Sequence, residues 1–218
     1  MIHTLKSDYL TVQINEKGAQ LWSIRTEDST EYLWQGDPKY WEDRALNLFP
    51  QIGLCTNNTY TLHGREYKMD IHGFIKDTVL APAECGDSRL VLACEDTEET
   101  RAIYPFRFRY AIAYTLDRQT LDITVTVDNR DSQTMYFSVG GHPGFNLPLE
   151  EGLAYDDYCL QFPAGATAKR AECTPGDCIM LGQITDYPLI HDRIPLSHEL
   201  FARRVLILTD MPRQVTLM

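Results

Sequence analysis

The sequence predicts an all-β chain, and three observations lead to that prediction. Apolar and polar residues alternate strictly over residues 121–128, as in a strand with one buried and one solvated face. Short runs rich in β-branched and aromatic residues recur along the chain, separated by Gly, Pro, Asn and Asp. Apolar residues at helical spacing scarcely appear. Many short strands with tight turns are typical of a large sandwich or barrel.

Length and charge limit the classes of partner. We expect the 218 residues to form a single domain, residues 1–218. The net charge of −11 disfavours nucleic acid and anionic membranes, because an acidic surface repels both. A small neutral ligand fits this charge better, and the oligomeric state is left open.

Targeting signals and cysteine usage favour the cytoplasm. The first residues lack a charged segment followed by an apolar stretch, and no apolar run approaches the length of a membrane span. Six cysteines are scattered along the chain, so reduced thiols are expected rather than a disulfide framework.

The first third of the chain is predicted to contain two hairpins and an apolar strand. Strands at 9–14 and 19–25 form the first hairpin, and a short strand follows at 32–34. The aromatic residues Trp34, Tyr40 and Trp41 then fill gaps in the core or its rim, or else stack on a sugar.

An apolar run over residues 44–53 begins at Arg44 and ends in Pro and Gly. The second hairpin spans 60–67 and turns at His63 and Gly64, which leaves His63 exposed. His72 follows in the stretch 69–74, before a glycine and an aromatic residue.

The rest of the chain continues the alternation of strands and turns. One helical turn is expected at 195–201, with Ser197 as its cap. The expected strands lie at 77–80, 89–95, 106–116, 120–129, 134–139, 204–208 and 214–217.

His142 is the candidate for chemistry. It lies between Gly140-Gly141 and Pro143-Gly144, after the strand predicted at 134–139. Glycine permits backbone conformations closed to other residues and proline fixes its own φ, so we expect His142 to stand rigidly at a strand end. An imidazole there suits a general acid or base, since it titrates near neutrality. The alternative is a turn histidine that bonds to nearby backbone.

Taken together, these motifs resemble the aldose 1-epimerase (galactose mutarotase-like) family. The resemblance covers nearly the whole chain and is carried by the order and spacing of its parts. These are Leu48-Phe49-Pro50 with Gly53, the hairpin at 60–67, Ile71-His72-Gly73-Phe74, and Gly141-His142-Pro143-Gly144-Phe145-Asn146.

The resemblance implies a β-supersandwich that binds a hexose in an open cleft and interconverts its α and β anomers without metal or cofactor. Mutarotation protonates the ring oxygen while the anomeric hydroxyl loses its proton, so an acid and a base flank the sugar. By resemblance His142 is the acid, His72 hydrogen-bonds the sugar, and Arg44 holds a sugar hydroxyl.

The chain departs from the family pattern at three places. Leu54 replaces an arginine, and Arg203 and Arg204 stand near the place where relatives carry an aspartate. The general-base glutamate belongs to a segment that would follow Met218, so we expect the chain to be truncated and to lack this base.

Three functions therefore compete. The first is an aldose 1-epimerase-like isomerase, which is impaired if its base is lacking. The second is a non-catalytic sugar-binding or sensing module with the same cleft. The third is a cupin-like metal enzyme that uses His63, His72 and His142, which the absence of clustered ligand spacing disfavours.

Overall fold

The computed structural model describes residues 1–174, 180–202 and 205–218, and it contains two compact units, residues 1–146 and 147–218. Strands dominate both units, which confirms the all-β prediction. The single domain expected over 1–218 stays a prediction. Within the described ranges no helix has the length and apolarity to cross a bilayer.

The first unit contains eleven strands in four sheets. The sheets have the orders β1-β2-β3, β10-β9-β8-β7, β11-β4 and β5-β6. The strands are β1 (Ile2–Lys6), β2 (Leu10–Asn15), β3 (Leu21–Thr26), β4 (Ala45–Leu48), β5 (Thr59–Leu62), β6 (Arg65–Lys68), β7 (Ala81–Cys85), β8 (Arg89–Glu95), β9 (Phe108–Asp117), β10 (Thr120–Asn129) and β11 (Gly140–Pro143).

The predicted hairpins form as expected. β2 pairs antiparallel with β3, and β5 pairs with β6. The turn between β5 and β6 places His63 and Gly64 at φ values of 49° and 78°, which suits a tight two-residue turn. His63 is exposed there, as predicted.

One apolar core joins the three- and four-stranded sheets of this unit. Val12 and Ile14 of the first sheet share a cluster of buried side chains with Leu92 and Ile112 of the second. Phe49 is fully buried in the same cluster and lies directly after β4. The strand that leads to the candidate site is therefore anchored in the core.

Four predicted strands form only in part or not at all. Of residues 32–34 only Leu33 makes a bridge, to Phe145, and of the described residues 205–208 only Leu208 lies in a strand. Residues 77–80 leave a 3₁₀ turn (Ile75–Asp77), and β7 begins only at Ala81. Residues 134–139 are not a strand, because their hydrogen bonds are not those of a ladder: Ser138 N donates to the Pro50 carbonyl, and the Tyr104 hydroxyl donates to the Tyr136 carbonyl.

A short helix, α1 (Glu98–Ile103), was not predicted from periodicity. Its start is fixed by a capping box in which Thr97 and Thr100 exchange side-chain and backbone hydrogen bonds. Other helical segments are single 3₁₀ turns. One of them, His198–Phe201, is the predicted helical turn, and Ser197 caps it by accepting from Leu200 N.

In its described residues the second unit contains six short strands in two sheets, with the orders β15-β12-β17 and β14-β13-β16. Phe162 and Ile194 are buried in this unit. The strands are β12 (Cys159–Gln161), β13 (Ala168–Cys173), β14 (Met180–Tyr187), β15 (Arg193–Pro195), β16 (Leu208–Thr209) and β17 (Thr216–Leu217).

Cysteines in the described part of the chain carry free thiols. Among them are Cys55, Cys85, Cys94 and Cys159. The sixth, Cys178, lies outside the described residues.

Candidate functional site

The site is built on the antiparallel pair β4 and β11. His142 lies inside β11, opposite Leu46 of β4, so its predicted place at the end of a strand 134–139 is wrong. β11 is short because it pairs only with the four residues of β4. β4 is buried at all four positions, whereas the His142 side chain is exposed. The accessible imidazole of His142 therefore stands on a strand pair that is anchored in the core.

Two buried polar side chains hold β4 in place. The side-chain Oε1 of Gln20 accepts from the backbone N of Arg44 at 2.6 Å and of Ala45 at 3.1 Å. The Asn47 amide donates to the carbonyls of Gly18 and Ala19, each at 3.0 Å. Buried polar groups with satisfied hydrogen bonds fix a unique arrangement of the backbone, so Gln20 and Asn47 hold β4, on which the site is built, in one position.

The glycines around His142 are needed for space rather than for unusual backbone angles. Gly140, Gly141 and Gly144 all lack a left-handed φ, contrary to the expectation from sequence. A Cβ on Gly144 would lie 2.9 Å from Trp34 Cβ and 3.0 Å from Trp41 Cζ3. The tight contact brings the tryptophans against β11.

His72 occupies a strained turn beside the end of β4. Its φ is 67°, a left-handed conformation that is uncommon outside glycine. The next residue, Gly73, has a φ of 73°, and a Cβ there would lie 2.3 Å from the Phe49 carbonyl oxygen. That carbonyl accepts hydrogen bonds from the backbone N of Phe74 and Ile75. The turn is therefore clamped to the segment that continues β4.

Two hydrogen bonds to Gly53 hold His72, one through its backbone and one through its ring. Its backbone N donates to the Gly53 carbonyl at 2.9 Å, and its Nδ1 accepts from Gly53 N at 3.1 Å. A ring that accepts at Nδ1 carries its proton on Nε2 when neutral. His72 thus offers an N–H donor on its other edge.

The environment of His72 favours the neutral ring. Partial burial lowers its pKa below 6.5, and the neighbouring His142 and Lys76 lower it further, while Asp70 opposes them. The Lys76 ammonium is shared with Asp77 at 2.5 Å and Asp70 at 3.9 Å. Sequence reasoning missed Asp70 and Lys76, although both lie within four residues of His72.

The structure brings the two histidines together. Their ring centroids are 5.5 Å apart, and the Trp41 ring meets His142 edge-on at 5.1 Å. Two imidazoles at this separation can contact one small molecule from neighbouring directions. One of them, His72, is an oriented donor whose environment favours the neutral ring, and the other, His142, is an accessible imidazole.

Arg44 lies at the edge of the same strand pair, where its carbonyl accepts from Gly144 N at 2.8 Å. Its guanidinium stacks on Trp22, and Nη1 donates to the Trp22 carbonyl and the Gln35 side chain at 2.6 and 2.7 Å. Burial lowers its pKa, and Glu31 raises it. In the described part of the chain Nη2 makes no hydrogen bond, so that group remains available.

Other sequence candidates lie elsewhere or outside the described residues. Tyr40 is 71% exposed and meets Trp34 edge-on at 6.3 Å. Arg203 and Arg204 lie outside the described residues. Across residues 1–174, 180–202 and 205–218, no three His, Cys, Asp or Glu side chains come together as a metal site would require.

Comparison with known proteins gives a single family. The model of the family described as aldose 1-epimerase matches residues 1–183. The chromosomal protein LacX of Lactococcus lactis subsp. lactis is 35% identical over 164 residues, which are 72% of this chain and 55% of LacX. The chain therefore spans about half the length of this curated relative.

Solved structures agree with this match. A galactose mutarotase related enzyme from Lactobacillus acidophilus superimposes with a TM-score of 0.93 at 30% identity, over 100% of this chain and 73% of its own. A galactose mutarotase-like protein from Lactobacillus casei gives 0.92 at 31% identity, over 100% and 75%. The fold is galactose mutarotase-like, as the sequence predicted.

Proposed function

The chain belongs to the aldose 1-epimerase family, and from the site described above we propose that it interconverts the α and β anomers of a hexose. The observation that carries the proposal is the 5.5 Å separation of the His72 and His142 rings. Two groups at that spacing can address the ring oxygen and a neighbouring hydroxyl of one sugar at once. The ring opens when that oxygen gains a proton and the anomeric hydroxyl loses one. Water takes up the second proton where no protein base is in place, so the exchange is slower than it would be with a positioned base.

Each histidine suits a different part of the reaction. His142 is accessible and adopts the role of acid toward the ring oxygen. His72 donates from Nε2 to the sugar, because Gly53 N occupies its Nδ1. Charge develops at an oxygen of the sugar in the transition state. The N–H of His72 is already oriented to donate to the sugar, so the protein needs little reorganisation.

Arg44 and the aromatic side chains complete the proposed site. Arg44 holds a sugar hydroxyl through Nη2, since Nη1 is committed to Trp22 and Gln35. Trp41 limits the space beside His142 and presents an apolar surface to the sugar. The ligand is a small neutral sugar, which the chain's net charge of −11 does not repel.

The test is anomer exchange with a matched pair of histidine variants. Freshly dissolved α-glucose and α-galactose are followed by polarimetry with the wild-type chain, His142→Asn and His63→Asn. Loss of a positioned general acid lowers the enzymatic rate by about 10²- to 10⁴-fold, so we expect His142→Asn to lose most of the exchange. His63→Asn keeps it, because His63 lies at an exposed hairpin turn that asparagine tolerates.

Equal rates for His142→Asn and the wild type would contradict the assigned acid. Tight sugar binding without any exchange above buffer would contradict the isomerase itself.

A further inference from the structure

A cavity of about 680 Å³ opens in the first unit where its three-stranded sheet meets β10, the edge strand of the four-stranded sheet. Leu10 of β2, Ile24 of β3 and Leu121 of β10 line it, and each of them also packs against the buried core cluster of this unit. The floor of the cavity is therefore apolar and continuous with the core. Among the described residues that line it, none belongs to the histidine site.

Aromatic side chains form the wall of this cavity. They are Tyr9, Tyr32 and Phe145, of which Phe145 is 55% exposed. The Tyr9 ring already lies beside a cation, because the guanidinium carbon of Arg118 is 5.4 Å from its centroid and Nη2 donates to its hydroxyl at 3.0 Å. Aromatic rings attract cations through their quadrupole. The wall therefore suits a ligand that has both apolar surface and positive charge.

The charged groups that line the cavity are carboxylates. Glu27 and Asp28 follow β3 directly and are exposed, and no Lys, Arg or His lines the cavity within the described residues. Asp28 Oδ1 accepts from the Thr26 hydroxyl at 2.5 Å and from Thr30 N at 3.1 Å. These bonds lower the pKa of Asp28, so it is ionised at neutral pH.

The Glu27 carboxylate makes no hydrogen bond or ion pair in the part of the chain that the structure describes. It can therefore meet a ligand without giving up a partner. The net charge of −11 also favours a cation over an anion near this surface.

A metal ion matches this cavity poorly. Ca²⁺ takes six to eight oxygen ligands, whereas nowhere in the described chain do three His, Cys, Asp or Glu side chains come together. The apolar floor would also contribute nothing to an ion of this kind. An organic cation uses both the floor and the carboxylates.

We propose that this cavity binds an amphipathic organic cation, with an ammonium group on an aromatic or aliphatic body. The body enters beside Leu10, Ile24 and Leu121, and the ammonium group stays at the rim with Glu27 and Asp28. Burial of the apolar body contributes to the affinity, while the carboxylates and the aromatic wall select for positive charge. The proposal goes beyond the isomerase and does not depend on it.

The experiment uses three probes that share a phenyl ring and differ in charge: 2-phenylethylammonium, 2-phenylethanol and 3-phenylpropanoate. Binding to the 218-residue protein is measured by calorimetry and by NMR shift mapping at pH 7. We expect the cation to bind about tenfold more tightly than the alcohol, because exposed ion pairs and cation–π contacts are each modest and act together here. The anion should bind most weakly. The shifts should be largest at Leu10, Ile24 and Leu121.

Charge variants identify the carboxylates. Glu27→Gln should weaken binding of the cation about threefold and leave the alcohol unchanged. Glu66→Gln in β6 is the matched control, because Glu66 is exposed, lies outside the cavity and gives the same change in net charge. It should alter neither affinity. Adding Asp28→Asn to Glu27→Gln should abolish the preference for the cation, since asparagine still accepts from Thr26 and Thr30.

A size variant tests the floor. Leu121→Trp fills the apolar part of the cavity and should weaken the cation and the alcohol alike. Should this variant not fold, the shift map of the wild-type protein tests the same point.

Several results would overturn the proposal. Equal affinity for the cation and the alcohol, stronger binding of the anion, or no binding of any probe at millimolar concentration would each do so. An undiminished preference for the cation in the double variant would do the same. Shifts centred on His72 and His142 would place the probe in the histidine site and overturn the cavity. None of these measurements uses anomer exchange, so failure of the proposed isomerase would leave this proposal standing.

Discussion

At the scale of single residues, His72 has the most constrained environment in the site. Its folded-state pKa lies below the ordinary 6.5, chiefly because of burial. The unfolded chain therefore binds a proton at a higher pH than the folded chain does. The contribution of His72 to the free energy of unfolding is present above about pH 6.5 and is lost as the pH falls through its folded pKa.

We expect an NMR titration of the His72 ring to give a pKa below 6.5. Asp70→Asn should lower this pKa further, since Asp70 is the group that opposes the shift, and Lys76→Met should raise it. A His72 pKa above 6.5 would contradict the neutral donor assigned to it.

Single residues of the site could be predicted from sequence where a side chain suited to acid–base chemistry stands in a distinctive local sequence. His72 and His142 stand out because each is flanked by glycine or proline, and the structure places them side by side. Gln20 and Asn47 could not be found this way. Their partners lie 24 and 29 residues away, so their role appears only once the strands have packed.

At the scale of elements, β11 depends on glycine for close packing. Gly144→Ala would push a methyl group against Trp34 Cβ and Trp41 Cζ3, at 2.9 and 3.0 Å. Because Trp34 Cβ is attached directly to the backbone, it can move little. Overpacking of this kind costs about 1–3 kcal/mol of the free energy of unfolding, and it should displace Trp41 from His142 and slow anomer exchange.

Gly141→Ala is the matched control for that prediction. Gly141 lies within β11 whereas Gly144 follows it directly, and a Cβ on Gly141 would meet only Pro143 Cδ at an ordinary 3.9 Å. Denaturant unfolding and the exchange rate, measured on both variants, distinguish the two positions. Equal loss of stability in Gly141→Ala and Gly144→Ala would show that backbone freedom, and not space, is what β11 requires.

Strand prediction was correct where a partner lies close in sequence. Residues 89–95 and 120–129 form β8 and β10 at the predicted bounds, since each pairs with the neighbouring strand β9, β10 through a tight turn and β8 through the segment that contains α1. Residues 134–139 have equal β propensity and form no strand. Propensity describes how a residue fits a sheet, but a partner strand must supply the hydrogen bonds.

At the scale of the whole molecule, the family could be identified from the order and spacing of its motifs, although each motif alone is weak. Two properties of the site could not. The exposure of His142 and the restraint of Arg44 by Trp22 depend on the packing of segments far apart in sequence. Local patterns do not contain that information.

The rates at which the cysteine thiols react with a reagent test how the whole molecule is packed. Reduced cysteines were expected from the sequence, and their surroundings now predict different reactivities. Cys85 is exposed, whereas Cys173 is buried. Burial raises the pKa of the Cys94 thiol to about 11, so at pH 8 almost none of it is the reactive thiolate.

We therefore expect a thiol reagent at about pH 8 to modify Cys85 rapidly, and Cys94 only as fast as the protein opens. All variants also carry Cys178→Ser, so that only cysteines in the described part of the chain can react. Cys85→Ser should remove the fast phase and Cys94→Ser a slow one, and all thiols should react at once in denaturant. Rapid labelling of Cys94 in the native protein would contradict the packing of this side chain against the core cluster of the first unit.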